Sequence, residues 1–208
     1  HHRGGIAVSL TLFWRHLFRG WQRLTSQHDA AEFVRHALLQ SSSGLAEHRW
    51  EARVQEGHGV QILDTGLLHT PLLVPVCDQL QHSVDAWHTQ RGLHALKGQP
   101  PAVILQLDRF RVREAQVVKT SAPVMLSPGT SVLLPSFDGP ALDLTHHIYE
   151  VIAAVIHRGP SPTAGHYVTA LFASEGTWLA DDGSPPKLNP NIPDLSQTCY
   201  LIFLRRSH

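Results

Sequence analysis

Apolar residues recur at helical spacing in two stretches near the start of the chain. Ile6, Leu10, Phe13, Trp14, Leu17, Phe18 and Trp21 repeat at three- and four-residue intervals, which predicts an amphipathic helix over 6–24 that weakens at Gly20. A second helix is predicted over 28–40. Ser26 is its expected N-cap, Asp29 falls in its first turn, and Phe33, Val34, Ala37 and Leu38 form its buried stripe. The run Ser41-Ser42-Ser43-Gly44 stops it. From residue 48 the period changes to two. Strands are predicted at 48–54, 61–63 and 72–74, followed by one inserted helix capped by Ser83 and running to about Leu96 through Val84, Trp87 and Leu93.

Pro100-Pro101 then opens a strand at 102–107. Further strands follow at 112–118, 124–126, 132–134, 149–157, 166–172, 177–179 and 198–204. Turn-forming clusters such as Ser127-Pro128-Gly129 and Phe137-Asp138-Gly139-Pro140 separate them. Ser161-Pro162-Thr163 reads as a mobile loop directly before His166. Helices come first and an antiparallel β-rich body follows, so the fold class is α+β rather than alternating βαβ. The 208 residues suit a single domain, with a helical part at 1–47 and a β-rich part at 48–208.

Composition narrows the function. Lys plus Arg equals Asp plus Glu at 17 each, so no basic excess points to nucleic acid or to a membrane surface. No apolar stretch is long enough to span a bilayer. Cys77 and Cys199 are the only cysteines, which is no disulfide framework and fits a reducing cytoplasmic or nuclear compartment. The 16 histidines invite a metal reading, but there is no His-Glu-x-x-His, and His146-His147 would face opposite sides of a strand. No metal and no cofactor is expected. A Gly-x-Ser-x-Gly elbow is also absent.

The candidate chemistry lies in Gly165-His166-Tyr167-Val168-Thr169-Ala170-Leu171 and Trp178-Leu179-Ala180-Asp181-Asp182-Gly183. A histidine opens one apolar run and two carboxylates close the next. Neighbouring antiparallel strands would bring them together as a general base and its orienting acid. Arg109 is expected to be structural, paired with Asp108 or another carboxylate. Cys77 is expected to be a small half-buried residue and Cys199 a core residue.

Four motifs resemble the ubiquitin-specific protease family of thiol deubiquitinases. They are Gln27-His28-Asp29-Ala30-Ala31-Glu32-Phe33; the proline-led strand from Pro101 to Arg109-Phe110; the strand 149–157 followed by Gly165-His166-Tyr167; and the acidic segment from Trp178 to Asp182 with the final strand from Tyr200. The resemblance covers nearly the whole chain. It implies a papain-like thumb-and-palm fold, with 1–47 a remnant of the thumb, a palm from 48 and reduced fingers. It implies His166 as catalytic base and Asp181 as the orienting acid with Asp182 in support; an alignment shifted by one puts Asp182 in the triad instead. Asp29 and Glu32 would line the channel for ubiquitin's basic tail, together with Gln27, Gly165 and Tyr167. The implied partner is ubiquitin or a ubiquitinated protein. The family's cysteine box, expected before Gln27, has no counterpart: residues 1–26 contain no cysteine. The isolated chain is therefore expected to be inactive, as a fragment or as a non-catalytic ubiquitin-binding module.

Overall fold

A computed structural model describes Trp21 and residues 27–41 and 44–207. The helix expected over 6–24 lies outside these residues except for Trp21, whose ring packs edge-on against Phe33 at 5.7 Å. The second helix, α1 (Ala30–Gln40), forms as expected but starts differently. Asp29 is its N-cap, in extended conformation, and its Oδ1 accepts the backbone N–H of Ala31 at 2.8 Å. Ser26, the expected cap, is outside the described residues. Only Ala31 of this helix is buried, while Phe33, Val34, Ala37 and Leu38 are half-buried.

The body is β1 (Arg49–Glu56), β2 (Gly59–Leu67), β3 (Leu72–Val74), α2 (Leu80–His88), β4 (Leu93–Lys97), β5 (Ala102–Leu107), β6 (Phe110–Arg113), β7 (Gln116–Lys119), β8 (Ser131–Phe137), β9 (Leu144–Ser161), β10 (Ala164–Ala173), β11 (Gly176–Ala180), β12 (Lys187–Leu188), the short α3 (Leu195–Thr198) and β13 (Cys199–Arg206). The class is α+β, dominated by one eleven-stranded sheet in the order β12-β11-β10-β9-β8-β4-β1-β2. A branch leaves it at β9 through β13 and β5 to β3. The pairing is mixed rather than wholly antiparallel, because β3 runs parallel to β5 and β4 parallel to β8.

Several boundaries differ from expectation. The inserted helix ends at His88, with Gln79 rather than Ser83 before its first turn. Gly92, at φ +80°, turns the chain, and Leu93 and Leu96 belong to β4. The run 112–118 is a hairpin, β6–β7, reversed at Glu114-Ala115, both with positive φ. No Asn-Gly signals that turn, which is why the pattern reads as one strand. Residues 124–126 form no strand; Met125 makes an isolated bridge to Gln79. The expected loop at 161–163 is a tight connection, since β9 runs through Ser161, which pairs with Ala164.

The main core lies beneath the branch, where Leu72, Val84, Trp87, Leu105, Val132, Tyr149 and Ile202 pack together. A second cluster, with Ala31, Val155, Tyr200 and Leu201 buried and Val34 packed against them, seats α1 on the sheet. Removing these aliphatic and aromatic surfaces from water is the main driving force holding the layers together, at about 25 cal/mol per Å².

Two arginines, one of them with a buried carboxylate partner, are buried for structure. Arg53 pairs with Glu51 at 2.7 Å and donates to the carbonyls of Gly139 and Ala141. Burial alone would raise the Glu51 carboxyl, but hydrogen bonds from Arg53 and Lys97 hold it below its usual value. Arg109 is fully buried, and its guanidinium donates to four backbone carbonyls: Cys199 at 2.5 Å, Ser196 at 2.8 Å, Ala122 at 2.9 Å and Thr120 at 3.2 Å. The expected carboxylate partner is not there. Asp108 pairs instead with Arg111, at 3.3 Å. Arginine fits this place because its planar fork can satisfy several carbonyls at once.

Candidate active site

His166 and the two aspartates are brought together by strand pairing. β10 runs antiparallel to β11, with Thr169 opposite Ala180, so the residues beyond that pair face each other across the end of the ladder. His166 Nε2 lies 2.6 Å from Asp181 Oδ1. Its Nδ1 is 3.9 Å from Asp182 Oδ2. A proton on the nitrogen facing Asp181 donates to that carboxylate and leaves the other ring nitrogen with its lone pair. Of the two aspartates, Asp181 is the one in hydrogen-bonding reach. Asp182 is turned outward at φ +46°, with a side chain 80% exposed against 47% for Asp181 and 43% for His166.

Two glycines make this geometry possible. The β9–β10 ladder shifts register between Ala164 and His166, a bulge centred on Gly165. A Cβ on Gly165, at φ +144°, would come within 2.4 Å of the Arg158 carbonyl oxygen, and one on Gly159 within 2.3 Å of that of Ala164. The strands approach closely only because neither residue has a side chain, and the bulge re-aims the residue that follows.

The segment leading into α1 is hydrogen-bonded to the sheet beside His166. The backbone N–H of Gly165 donates to Gln27 Oε1 at 3.3 Å. Asp29 also reaches the sheet: Tyr200 Oη donates to its Oδ2 at 2.8 Å, and Gln106 Nε2 donates to that hydroxyl at 2.9 Å. Asp29 therefore has one oxygen on its own helix and the other on β13. Glu32 is exposed on the first turn. Gln27 and Asp29 are thus bonded to the sheet near His166, through Gly165 and Tyr200, while Glu32 is exposed and Tyr167, half-buried next to His166, donates its hydroxyl to the Pro162 carbonyl at 2.7 Å.

Next to His166 lies an aromatic cluster around a buried histidine that sequence reasoning missed. His157, opposite Tyr167 on β9, is fully buried, with ring centroids 4.5 Å from Tyr167 and 5.4 Å from Phe110. Lys119 donates to the His157 carbonyl at 2.6 Å, and its ammonium lies 3.3 Å from His157 Nδ1. Burial first, and the Lys119 charge second, push the His157 imidazole down to about 4. It is therefore neutral near pH 7. Burial and then the Asp29 carboxylate raise the phenols of Tyr167 and Tyr200, so both stay protonated donors. Alternation along 149–157 marks His157 as a strand residue, but nothing local marks it as the centre of that cluster.

The two cysteines lie away from His166 in the sheet order or are sealed in the core. Cys199 is fully buried, and burial pushes its thiol up to about 12. Cys77 is half-buried and follows β3, four strand spacings from β10 by way of β5, β13 and β9, or roughly 19 Å. Among the described residues, His166, Asp181 and Asp182 also form a trio whose donor atoms lie within 4.8 Å of one another. All three are open to solvent and the nearest ring nitrogen is engaged with Asp181, so we assign no metal there.

The ubiquitin carboxyl-terminal hydrolase family model matches residues 9–193. The chain belongs to this family, that of the ubiquitin-specific protease deubiquitinases. Over 117 residues it is 31% identical to ubiquitin carboxyl-terminal hydrolase 10 of Rattus norvegicus, a match covering 51% of this chain and 15% of that protein. Over 120 residues it is 26% identical to ubiquitin carboxyl-terminal hydrolase 25 of Arabidopsis thaliana, covering 58% of this chain and 18% of that protein. Among solved structures it is similar to a chain of the SAGA Ubp8/Sgf11/Sus1/Sgf73 DUB module bound to ubiquitin aldehyde, with TM-score 0.70 and 18% identity over 95% of this chain and 54% of that one. The module bound to monoubiquitin gives 0.68 and 18% over 92% and 51%. These structural likenesses bear on the fold alone. The chain spans under a fifth of the curated relatives and about half of the structural ones.

Proposed function

We propose that the chain supplies the base and the orienting acid of a thiol deubiquitinase. The observation that carries this reading is the 2.6 Å imidazole–carboxylate pair, beside which the segment leading into α1 is hydrogen-bonded to Gly165. In this reading the 208 residues are one catalytic domain of thumb-and-palm type: α1 is thumb, the large sheet is palm, and the β1–β2 hairpin stands for reduced fingers. A cysteine outside the described site gives its thiol proton to His166. The thiolate attacks the carbonyl of ubiquitin's last glycine, and His166 returns the proton to the departing lysine amine. Water, deprotonated by the same imidazole, then cleaves the thioester and releases ubiquitin. Asp181 fixes the ring and stabilises the imidazolium, while Asp182 adds negative charge on its outer side. Two free cysteines and no disulfide among the described residues fit an intracellular, reducing setting.

Ubiquitin's basic tail would run past Asp29 and Glu32 toward His166. Because Asp29 also caps α1, Asp29→Asn with Glu32→Gln is the suitable pair: asparagine preserves the cap while the charge is lost. We expect ubiquitin affinity, measured by calorimetry, to fall about three- to tenfold and its salt dependence to flatten. Unchanged affinity would remove this path.

The decisive experiment uses a ubiquitin probe with a thiol-reactive C-terminus. The isolated chain should not be labelled. Joined to an upstream segment carrying a Gly-Asn-x-Cys element, it should be labelled and should cleave a ubiquitin conjugate, and His166→Ala should abolish cleavage. Labelling of Cys77 or Cys199 in the isolated chain, lost on His166→Ala, would overturn the assignment. A second reading, a non-catalytic ubiquitin-binding module, is favoured by the inert Cys199 thiol. It predicts ubiquitin binding without cleavage even in the joined form.

A further inference from the structure

The hairpin β6–β7 is the one part of the body that joins no larger sheet. Among the described residues its two strands pair only with each other. At its base Phe110 packs on Tyr200 and His157, and Lys119 is tethered to the His157 carbonyl. Its outer part projects. Val112 is 74% exposed, and Val117 and Val118 are exposed as well. The hairpin therefore offers free strand edges with apolar side chains that the other described residues leave exposed.

Its charge is equally one-sided. Arg111 and Arg113 stand two residues apart on β6 and so share one face, opposite Val118 and Gln116. That face overlooks a cleft of about 400 Å³ lined by Val76, Arg109, Arg111, Arg113, Val118 and Ala122. Arg109 is spent on backbone carbonyls, but it still contributes positive charge. The only carboxylate paired on this face is Asp108, with Arg111, and Glu114 sits at the turn. From 108 to 119 the chain carries four cations and two anions, in a protein whose total is balanced.

An exposed edge, alternating cations on one face and valine on the other are the complement of one kind of ligand. We propose that β6–β7 is a docking site for an extended acidic segment of a protein partner. The segment adds as a strand to the open edge. Carboxylates at alternate positions meet Arg111 and Arg113 in the cleft, and apolar residues between them cover Val112. Backbone pairing supplies affinity and the alternation supplies specificity. Ubiquitin's tail is not this ligand, because it is basic. The site is linked to the buried His157 through Phe110 and Lys119 and does not depend on the catalytic reading.

The test is fluorescence anisotropy on the 208-residue chain with three labelled peptides of equal composition or length: alternating glutamate and valine, the same residues in two blocks, and alternating lysine and valine. The alternating acidic peptide should bind, more weakly as salt rises from 50 to about 300 mM. The block peptide should bind about tenfold less well, and the lysine peptide not at all. Arg111→Glu with Arg113→Glu should weaken binding of the alternating acidic peptide about tenfold or more, and Arg111→Gln with Arg113→Gln by less. Circular dichroism checks that these exposed changes leave the fold intact. Equal binding of the alternating and block peptides would show unspecific charge attraction and overturn the proposal. So would binding unaffected in both variants, no binding at all, or a single-stranded oligonucleotide bound as tightly as the alternating peptide.

Discussion

The buried guanidinium of Arg109 and the half-open imidazole of His166 are held in opposite ways. Arg109 is sealed from solvent and spends its donors on four carbonyls from two segments, 120–122 and 196–199, closing the junction where α3 leads into β13. His166 has one firm partner, Asp181, a distant second in Asp182, and water on its remaining side. A charge kept for architecture is saturated because an unmet buried donor is costly. In the proposed reading, an imidazole kept for proton transfer is left with one free lone pair, because a ring with both nitrogens engaged has nothing with which to accept a proton.

The largest expected effect tests the architectural side. Arg109→Met removes the fork and its four hydrogen bonds; the Ser196 carbonyl keeps the Val124 N–H, but the guanidinium's other three acceptors lose this donor, so the change should destabilise the chain by about 3 kcal/mol or more in urea unfolding. Arg109→Lys should recover only part of this, since an ammonium cannot span the same carbonyls. A loss below about 1 kcal/mol for Arg109→Met would show that water replaces the fork and that the contrast with His166 is false.

His157, buried against Tyr167, sits between these extremes and gives a pH signature. His157 is held near 4 in the folded chain, below its ordinary value, so between about pH 4 and 6.5 the unfolded chain binds the extra proton. Its contribution is fully present above pH 6.5 and is lost as pH falls toward 4, on the order of 3 kcal/mol across that window. Burial also lowers the imidazoles of His69 and His94, which add to the slope with the same sign. Denaturant unfolding at stepped pH should show stability falling on acidification, with a shallower fall in His157→Phe. Identical slopes in the two proteins would place the acid sensitivity elsewhere.

The smallest effect on stability is expected at the site itself. His166→Ala and Asp181→Asn should each change unfolding free energy by no more than about 1 kcal/mol, because the pair is exposed. In a form of the protein that carries a nucleophile, the same changes should lower the rate of conjugate cleavage about a thousandfold or more. Loss of fold in either variant would make His166 structural and erase the distinction drawn from Arg109.

Much of the site was readable from local signals. The apolar runs after His166 and before Asp181 specify two short strands, and antiparallel pairing of neighbours is enough to set the imidazole beside a carboxylate. The helix at 30–40 was readable too, although Asp29 rather than Ser26 caps it. The β6–β7 hairpin was not, because Glu114-Ala115 adopt positive φ without the residues that usually announce it. Leu93 and Leu96 fit a helical stripe equally well, and only pairing with β1 makes them strand.

What the sequence determined by itself is therefore what depends on near neighbours: strand and helix periodicity, the order of the motifs, the absence of cysteine from residues 1–26, and the approach of His166 to Asp181. The tertiary structure decided what depends on residues far apart in the chain. It took Arg109 from an expected carboxylate to carbonyls some 90 residues away, gave Asp29 the hydroxyl of Tyr200, and buried His157 between Tyr167 and Lys119. Periodicity records which face of an element is buried, but a polar side chain's partner is fixed only when the whole sheet closes around it.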